Sequence, residues 1–540
     1  MTERFVVAPP REGKSYVSGI DEFSFVPGSV GDALIALSVD AADEPALMWI
    51  GDSIAQQMSW SQLADRALRG AATLLELNPD RRRVALVGVN SVDWVVAMFA
   101  CALAGMPVVP ISATATAAEA RHQIACAAAG VLLADDANDL LEGMRRLASE
   151  WSPSPVVRDL SQLCGADPAT PVDVSTDDEC LVQFTSGTTG LPKAASLSHR
   201  AALNTGAVFA RACGAHTGDR WFNPLPLHHV GGLVTGMLSV LTFGGAYTVV
   251  ERFSPQLALG AIRQVKPAWA GLVPTMVIDI LGLPGVSADD FASVRTVAAG
   301  ASAVDPGLIG DMEARLGVTT MVGYGQSEAP AMSASSPDDE PRVRTQTLGR
   351  CLPGRELAIR DAAGTVLPTG TVGELCVRGP LCMSGYLQAD GTLDPAVDAE
   401  GWLRTGDLCS MDDDGVLVFH GRLREVIIRG GLNVYPAEVE QALSTHESVS
   451  ELAVFGVSDQ RLGERVVAAV LPAGQTTVDV ADLASLADGT LNKYKRPTEY
   501  FVVSQLPRTS SGKVRKHLLQ KWYAEGILEQ KCGPIPFGKG

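Results

Sequence analysis

The segment Phe184–Arg200, FTSGTTGLPKAASLSHR, brings hydroxyl side chains, two glycines and a lysine together. Gly187 and Gly190 allow a tight turn whose N–H groups can face an anion. Ser186, Thr188 and Thr189 add hydroxyl donors, and Lys193 adds a compact positive charge. This is chemistry for holding phosphate. A P-loop NTPase would need GxxxxGK[ST], but Pro192 precedes the lysine and Ala194 follows it. Taken alone, the run also suits a Ser/Thr/Gly surface loop.

Further segments settle the choice by their company and order. They are NPLPLHHVGG (Asn223–Gly232), GYGQSEA (Gly323–Ala329), GELCVRG (Gly373–Gly379), GWLRTGDL (Gly401–Leu408), GRLREVIIRGGLNVYPAEVE (Gly421–Glu440) and LPRTSSGKVRK (Leu506–Lys516). With TSGTTGLPK at their head, they resemble the motif series of the adenylate-forming (AMP-binding) superfamily. The wording is most similar to bacterial fatty-acyl and aryl acyl-CoA synthetases. The resemblance runs from about residue 45 to about residue 525.

The resemblance implies two half-reactions. A carboxylate attacks the α-phosphorus of ATP, giving an acyl-adenylate and pyrophosphate, and a thiol, usually coenzyme A, then displaces AMP. Negative charge gathers on phosphate oxygens in the first step, so positioning and charge neutralisation carry the catalysis. By resemblance, Thr185, Ser186, Gly187, Thr188, Thr189, Gly190 and Lys193 hold the β- and γ-phosphates and the departing pyrophosphate. Glu328 is the expected magnesium ligand, a hard oxygen donor suited to that ion. Ser327 stands where the family usually has Thr, and its hydroxyl can still reach the α-phosphate. Tyr324, between Gly323 and Gly325, is expected against adenine, with Gly300 and Ala301 also beside the nucleotide. Asp407 and Arg422 are the ribose contacts, and Lys513 is the cation expected at the α-phosphate and the reacting carboxylate. Its neighbours Arg515 and Lys516 read as solvated or helix-end charges. Arg424 matches the family's hinge position, usually Asp or Lys. Rotation there would exchange the Lys513 loop for the IIRGGLNVYP loop, where Gly430 and Gly431 serve a pantetheine arm, a hairpin turn, or both.

His228 and His229 lack a third ligand at metal-binding spacing. By resemblance His229 lines the acyl pocket or the thiol passage. Amino-acid adenylation domains commonly place Asp there to pair the substrate α-amine, so the histidine implies an acid without one. Gly231, Gly232 and Gly271–Met276 would line the same cavity. In Ala298–Ser302, AAGAS, Ala299 replaces the first glycine of the relatives' Gly-Gly-Ala run. A fatty and an aromatic acid both remain open.

These residues need a scaffold. Apolar strands such as Arg83–Val89 alternate with helical stretches, and Ser91 is placed to N-cap one. That alternation predicts α/β layers with largely parallel sheets. From about Asp361 short strands and turns dominate, and a small C-terminal unit follows. The expected architecture is an α/β fold. A large N-terminal domain of layered sheets and helices (1–422) carries a small mobile α+β C-terminal domain (423–540).

With 540 residues, 46% hydrophobic, the chain can bury a large core. A net charge of −18 gives a nucleic-acid role no global support. The ten cysteines form no CxxC pair and read as buried thiols of a reducing compartment. Trp94–Ser112 is apolar enough to raise a membrane span, but Gly105, Pro107 and Pro110 divide it into a buried helix and a strand. A cytoplasmic protein is expected. The cofactors implied are ATP, Mg2+ and coenzyme A, and the partner is a small carboxylic acid. The alternatives are an acyl-AMP ligase that delivers to a carrier protein or an amine in trans, and an inactive nucleotide-binding relative.

Overall fold

The computed structural model describes residues 7–20, 23–51, 54–136, 139–165, 167–185, 192–300, 306–388, 390–474, 476–508 and 514–528. Ser186, Gly187, Thr188, Thr189, Gly190, Ala301 and Lys513 lie outside them.

The apolar alternation resolves into two large, mostly parallel sheets. In the eight-stranded sheet, Val84–Gly88 pairs in parallel with Val108–Ser112 and with Val131–Ala134. Glu179–Phe184 and Ala194–Ser198 close it as an antiparallel pair, followed by Gly385–Leu387. In the nine-stranded sheet, Trp269–Leu272, Thr296–Gly300 and Thr319–Tyr324 run parallel, so Gly300 lies beside Gly323. Each set of motifs therefore leaves the sheet at a strand end, where an α/β fold gathers its ligands.

The apolar stretch after Ser91 is the helix Val92–Leu103, almost wholly buried, with Trp94 N–H donating to the Ser91 hydroxyl. Gly105 then takes φ +64°, a conformation that favours glycine, and the chain turns into strand Val108–Ser112. No helix among the described residues is long and apolar enough to cross a membrane.

The change of texture after Asp361 marks a third, antiparallel sheet built from Tyr16–Ser18, Glu356–Arg360, Gly373–Arg378, Leu403–Met411 and Leu417–Arg422. Its last strand ends at Arg422, and one 3-10 turn, Leu423–Glu425, leads into a fourth sheet beginning at Ile427–Arg429. The molecule thus comprises a large N-terminal domain and a smaller C-terminal one. In the smaller domain the strand Val449–Asp459 sends Leu452 and Val454 to one face, against helices Pro436–Leu443 and Val480–Thr490. It sends Ala453, Phe455 and Val457 to the other, against Leu519 of helix Lys516–Ala524. Period-two alternation with both faces apolar is what a sheet covered on both sides requires.

Of the nine described cysteines none is in a disulfide, and six are buried. Cys164 departs from the expectation of buried thiols, being exposed.

Candidate active site

The GYGQSE turn leaves strand Thr319–Tyr324 and folds back on itself: Gln326 N–H donates to Ala329 O, and Ala329 N–H to Gln326 O, both at 3.2 Å. Gly325 permits this, since a Cβ there would lie 2.3 Å from Ala331 N. A Cβ on Gly323 would meet the Phe209 ring at 2.9 Å. The turn delivers two side chains to Asp407. Tyr324 Oη donates to Asp407 Oδ2 at 2.5 Å, and Gln326 Nε2 donates to the same oxygen at 2.9 Å. Gln326 Nε2 also reaches Thr405 O at 2.9 Å.

Asp407 and Arg422 are cross-strand partners in the antiparallel sheet. Arg422 Nε stands 3.3 Å from Asp407 Oδ1. The carboxylate is 3% exposed, so its charge depends on these partners. Burial, then the Asp407 charge, raises the Tyr324 phenol well above its usual pKa, keeping it a donor.

A second cluster forms around the neck of the loop expected to hold phosphate. Phe184 pairs with Ala194, and Thr185 N–H donates to Lys193 O at 2.9 Å, so the loop springs from a closed antiparallel pair. His122 Nε2 and Pro192 O lie 2.9 Å apart at the same neck. The Lys193 ammonium rests over the Tyr386 ring, 4.6 Å from its centroid. Tyr386 Oη in turn donates to Glu328 Oε1 at 2.7 Å. Met383 N–H holds the Glu328 carbonyl at 2.7 Å. Ser327 sits half-buried between the two clusters in sequence.

His229 lies in a turn, its N–H donating to Pro226 O at 3.1 Å, just before the π-helical turn Leu233–Leu238. Gly232 is required there, because a Cβ would fall 2.3 Å from Pro226 O. The His228 and His229 rings stand 4.3 Å apart, tilted by 46°. Burial, and then the neighbouring His229, push His228 down to about 3, so it is a neutral ring. Gln183 Nε2 donates to His228 O at 2.8 Å and ties this turn to the strand that ends in the phosphate loop.

Arg424 lies exposed on the 3-10 turn that joins the third and fourth sheets. Gly430 and Gly431 have φ +60° and +81° and form the two-residue turn between Ile427–Arg429 and Leu432–Val434. Of the reading of Lys516 as a solvated or helix-end charge, the helix end holds, since Lys516 opens helix Lys516–Ala524, and the solvated half is corrected. Its Nζ lies 2.7 Å from Glu440 Oε1 and 3.2 Å from Glu425 Oε2, its side chain 17% exposed. Burial disfavours the ammonium, but the two carboxylates outweigh it and the pKa is raised.

Most of the expected residues that are described separate into three groups, with Gly300, Ser327 and His229 outside them. Gly323, Tyr324, Gly325, Asp407 and Arg422 form one cluster; Thr185, Lys193 and Glu328 form the second; Arg424, Gly430 and Gly431 sit on the smaller domain's approach. Gln326, Tyr386 and Gln183 were not among them. Gln326 had a signal, a polar amide inside GYGQSE. The other two declare themselves only through contacts distant in the chain.

Comparison with known proteins identifies the family. Residues 38–387 match the AMP-binding enzyme family, and residues 438–513 match the AMP-binding enzyme C-terminal domain. Indoleacetate–CoA ligase of Aromatoleum aromaticum is 33% identical, over 85% of this chain and 92% of its own. The mitochondrial medium-chain acyl-CoA ligase ACSF2 of Macaca fascicularis is 29% identical, over 96% of this chain and 90% of its own. ATP-bound MatB from Rhodopseudomonas palustris superposes with a TM-score of 0.84 at 25% identity, covering 93% of this chain and 100% of that one. With the family model spanning most of the larger domain and a second model on the smaller, this chain belongs to the AMP-binding enzyme family.

Proposed function

We propose that this protein is an AMP-forming acid–thiol ligase. It activates a carboxylic acid without an α-amine, fatty or aromatic, through an acyl-adenylate and passes the acyl group to coenzyme A. The observation that carries this reading is the meeting of Tyr324, Gln326 and Arg422 on the single buried carboxylate of Asp407. A carboxylate offers about four lone-pair sites. The Tyr324 and Gln326 hydrogen bonds occupy Oδ2, while Arg422 Nε faces Oδ1 as an ion-pair partner at 3.3 Å. Oδ1 therefore keeps room for the ribose hydroxyls, with Arg422 beside it.

At the other cluster, Lys193 meets the β- and γ-phosphates and steadies the charge of departing pyrophosphate. Glu328 fits a magnesium ion: Oε1 takes the Tyr386 hydroxyl, and no cation within the described residues pairs with the carboxylate. One carboxylate with phosphate oxygens is a usual magnesium set. When bound, that ion would neutralise phosphate charge. Ser327 donates to the α-phosphate, and Lys513 brings a cation to the carboxylate oxygen that attacks the α-phosphorus as pyrophosphate leaves. In the second step the thiol sulfur attacks the acyl carbon, AMP departs with its bonding electrons, and the thiol proton passes to solvent.

We place the boundary between the domains at residues 422 and 423, with Arg424 on the turning segment and Gly430–Gly431 facing the incoming thiol. His229 lies on the acid side, where an imidazole in place of a carboxylate leaves no anion to attract an amine. The relatives act on indoleacetate and on medium-chain acids by name, which supports an acid of either kind.

The test is a panel of fatty and aromatic acids with ATP, Mg2+ and coenzyme A, following AMP and thioester together. One class of acid should give both products. Pyrophosphate release with no CoA thioester from any acid would move the acceptor to a carrier protein or an amine. A Lys513→Ala variant should lose adenylate formation yet still transfer acyl groups from supplied acyl-AMP, and equal loss of both would refute its role.

A further inference from the structure

We propose that Tyr386 is a positioning residue, a neutral spacer that keeps Lys193 and Glu328 from pairing with each other before the nucleotide arrives. The inference rests on the ligase reading above and adds a residue that its motifs did not supply. Tyr386 lies on the short strand Gly385–Leu387, in register with Ala195, which brings it next to Lys193 at the neck of the phosphate loop. From there its ring supports the ammonium, 4.6 Å from the centroid, while its hydroxyl donates to Glu328 Oε1 at 2.7 Å. One side chain thus touches both charges.

The charges are of opposite sign and serve the same phosphate end, yet among the described residues no ion pair joins them. An exposed lysine next to a half-buried carboxylate is still drawn to it, although solvent screens part of the attraction. Such a pair would neutralise the two groups that the nucleotide and its metal need separately charged. The phenol offers each a milder partner. A cation–π contact is weaker than a desolvated ion pair and releases the ammonium to phosphate easily. The charge-assisted hydrogen bond fixes one carboxylate oxygen and leaves the other open.

The experiment is calorimetric binding of ATP, without Mg2+ and across a Mg2+ series, to the wild type and three variants. Tyr386→Phe keeps the ring and removes the hydroxyl. Its Mg2+-free ATP affinity should stay within about twofold, while the Mg2+ needed for half-maximal tightening rises about tenfold. Tyr386→Leu removes the spacer, and its Mg2+-free ATP affinity should fall about tenfold as Lys193 closes on Glu328. Adding Glu328→Gln to Tyr386→Leu should restore that affinity. The proposal is overturned if Tyr386→Leu binds Mg2+-free ATP as the wild type does, or if Glu328→Gln brings no recovery. It is also overturned if Tyr386→Phe shifts the melting temperature alone. Melting curves identify any variant that fails to fold; should Tyr386→Leu do so, the Mg2+ series on Tyr386→Phe decides. A wild type that binds no ATP under any condition sinks the ligase reading itself, a different result from all of these.

Discussion

Asp407 and Glu328 are the two carboxylates that the proposed function puts at the nucleotide end of the site, yet their surroundings differ. Asp407 is buried on a strand, matched in register to Arg422 and bonded by Tyr324 and Gln326. Glu328 is half-buried on a turn, with one phenol on its carboxylate. Every group around Asp407 is anchored in a sheet or a closed turn, so this cluster is assembled before ligand binds. Among the described residues the ties on the Glu328 carboxylate are few and readily exchanged. The difference matches the tasks proposed for them: a nucleoside stays through both half-reactions, whereas pyrophosphate must leave after the first. Preorganisation helps the end that holds, and loose attachment helps the end that lets go.

That contrast is broken first by removing the charges of the loose end. Glu328→Ala and Lys193→Ala should each lower kcat/KM for ATP by about two to three orders of magnitude, since each removes charge stabilisation in the transition state. Folding stability should move by less than about 0.5 kcal/mol, because little structure depends on either side chain. Steady-state kinetics with denaturant melts would test this, and large destabilisation in either variant would show that the loose end is also a fold element.

Asp407→Ala should do the opposite and cost stability even without ligand. It leaves Arg422, the Tyr324 hydroxyl and the Gln326 amide without their shared acceptor, a loss of about 3 kcal/mol. Asp407→Asn keeps one acceptor oxygen and should cost less. A melt of ligand-free Asp407→Ala that overlays the wild type would remove the distinction between the ends.

Lys516 extends the comparison to the smaller domain, where a charge read as solvated is instead held by Glu425 and Glu440. Through it, helix Lys516–Ala524 grips both the turn after Arg422 and helix Pro436–Leu443. Lys516→Met leaves two carboxylates facing each other and should destabilise the domain by about 2–3 kcal/mol, while Lys516→Arg recovers most of it. Hydrogen exchange would localise the loss, and protection unchanged in the Met variant would deny the grip.

What could be read in the sequence follows from how local each signal is. The parallel strands were legible because buried strands such as Val84–Gly88 and Val131–Ala134 are short apolar runs between helical segments, a pattern carried within a few residues. The third sheet announced itself through turns and short strands. Asp407, Glu328 and Arg422 were legible because they stand inside recognisable motifs. Tyr386 was not, since MSGYLQ has no phosphate-binding composition and its two contacts come from residues far along the chain. Lys516 was read only in part for a related reason: it does open a helix, but a lysine there is usually solvated, and only the folded chain brings Glu425 and Glu440 around it. The π-helical turn Leu233–Leu238 had no local signal either. There Gly236 faces Asn223 Nδ2, 2.5 Å from where a Cβ would stand, a close approach that no propensity scale registers.

Acid should act through a buried histidine beside strand Ala194–Ser198, on stability rather than on the reacting groups. His199 begins the helix that follows strand Ala194–Ser198, and its Nδ1 accepts the Val30 N–H at 3.3 Å, which requires an unprotonated nitrogen. Burial drives its pKa from 6.5 down to about 4, against the opposing charges of Asp178 and Asp32. Between those values the unfolded chain binds a proton that the folded chain refuses, so stability rises with pH across the window. The contribution is complete above pH 6.5, falls by about 1.4 kcal/mol for each unit below it, and levels off near pH 4. His228, pushed down to about 3, adds a loss of the same sign. Denaturant midpoints measured from pH 7 to pH 4 should therefore decline. His199→Asn, whose side-chain oxygen can replace Nδ1 as acceptor, should remove about one proton from the slope. A variant that follows the wild-type slope throughout would place the acid sensitivity elsewhere and separate it from the strand that carries the phosphate loop.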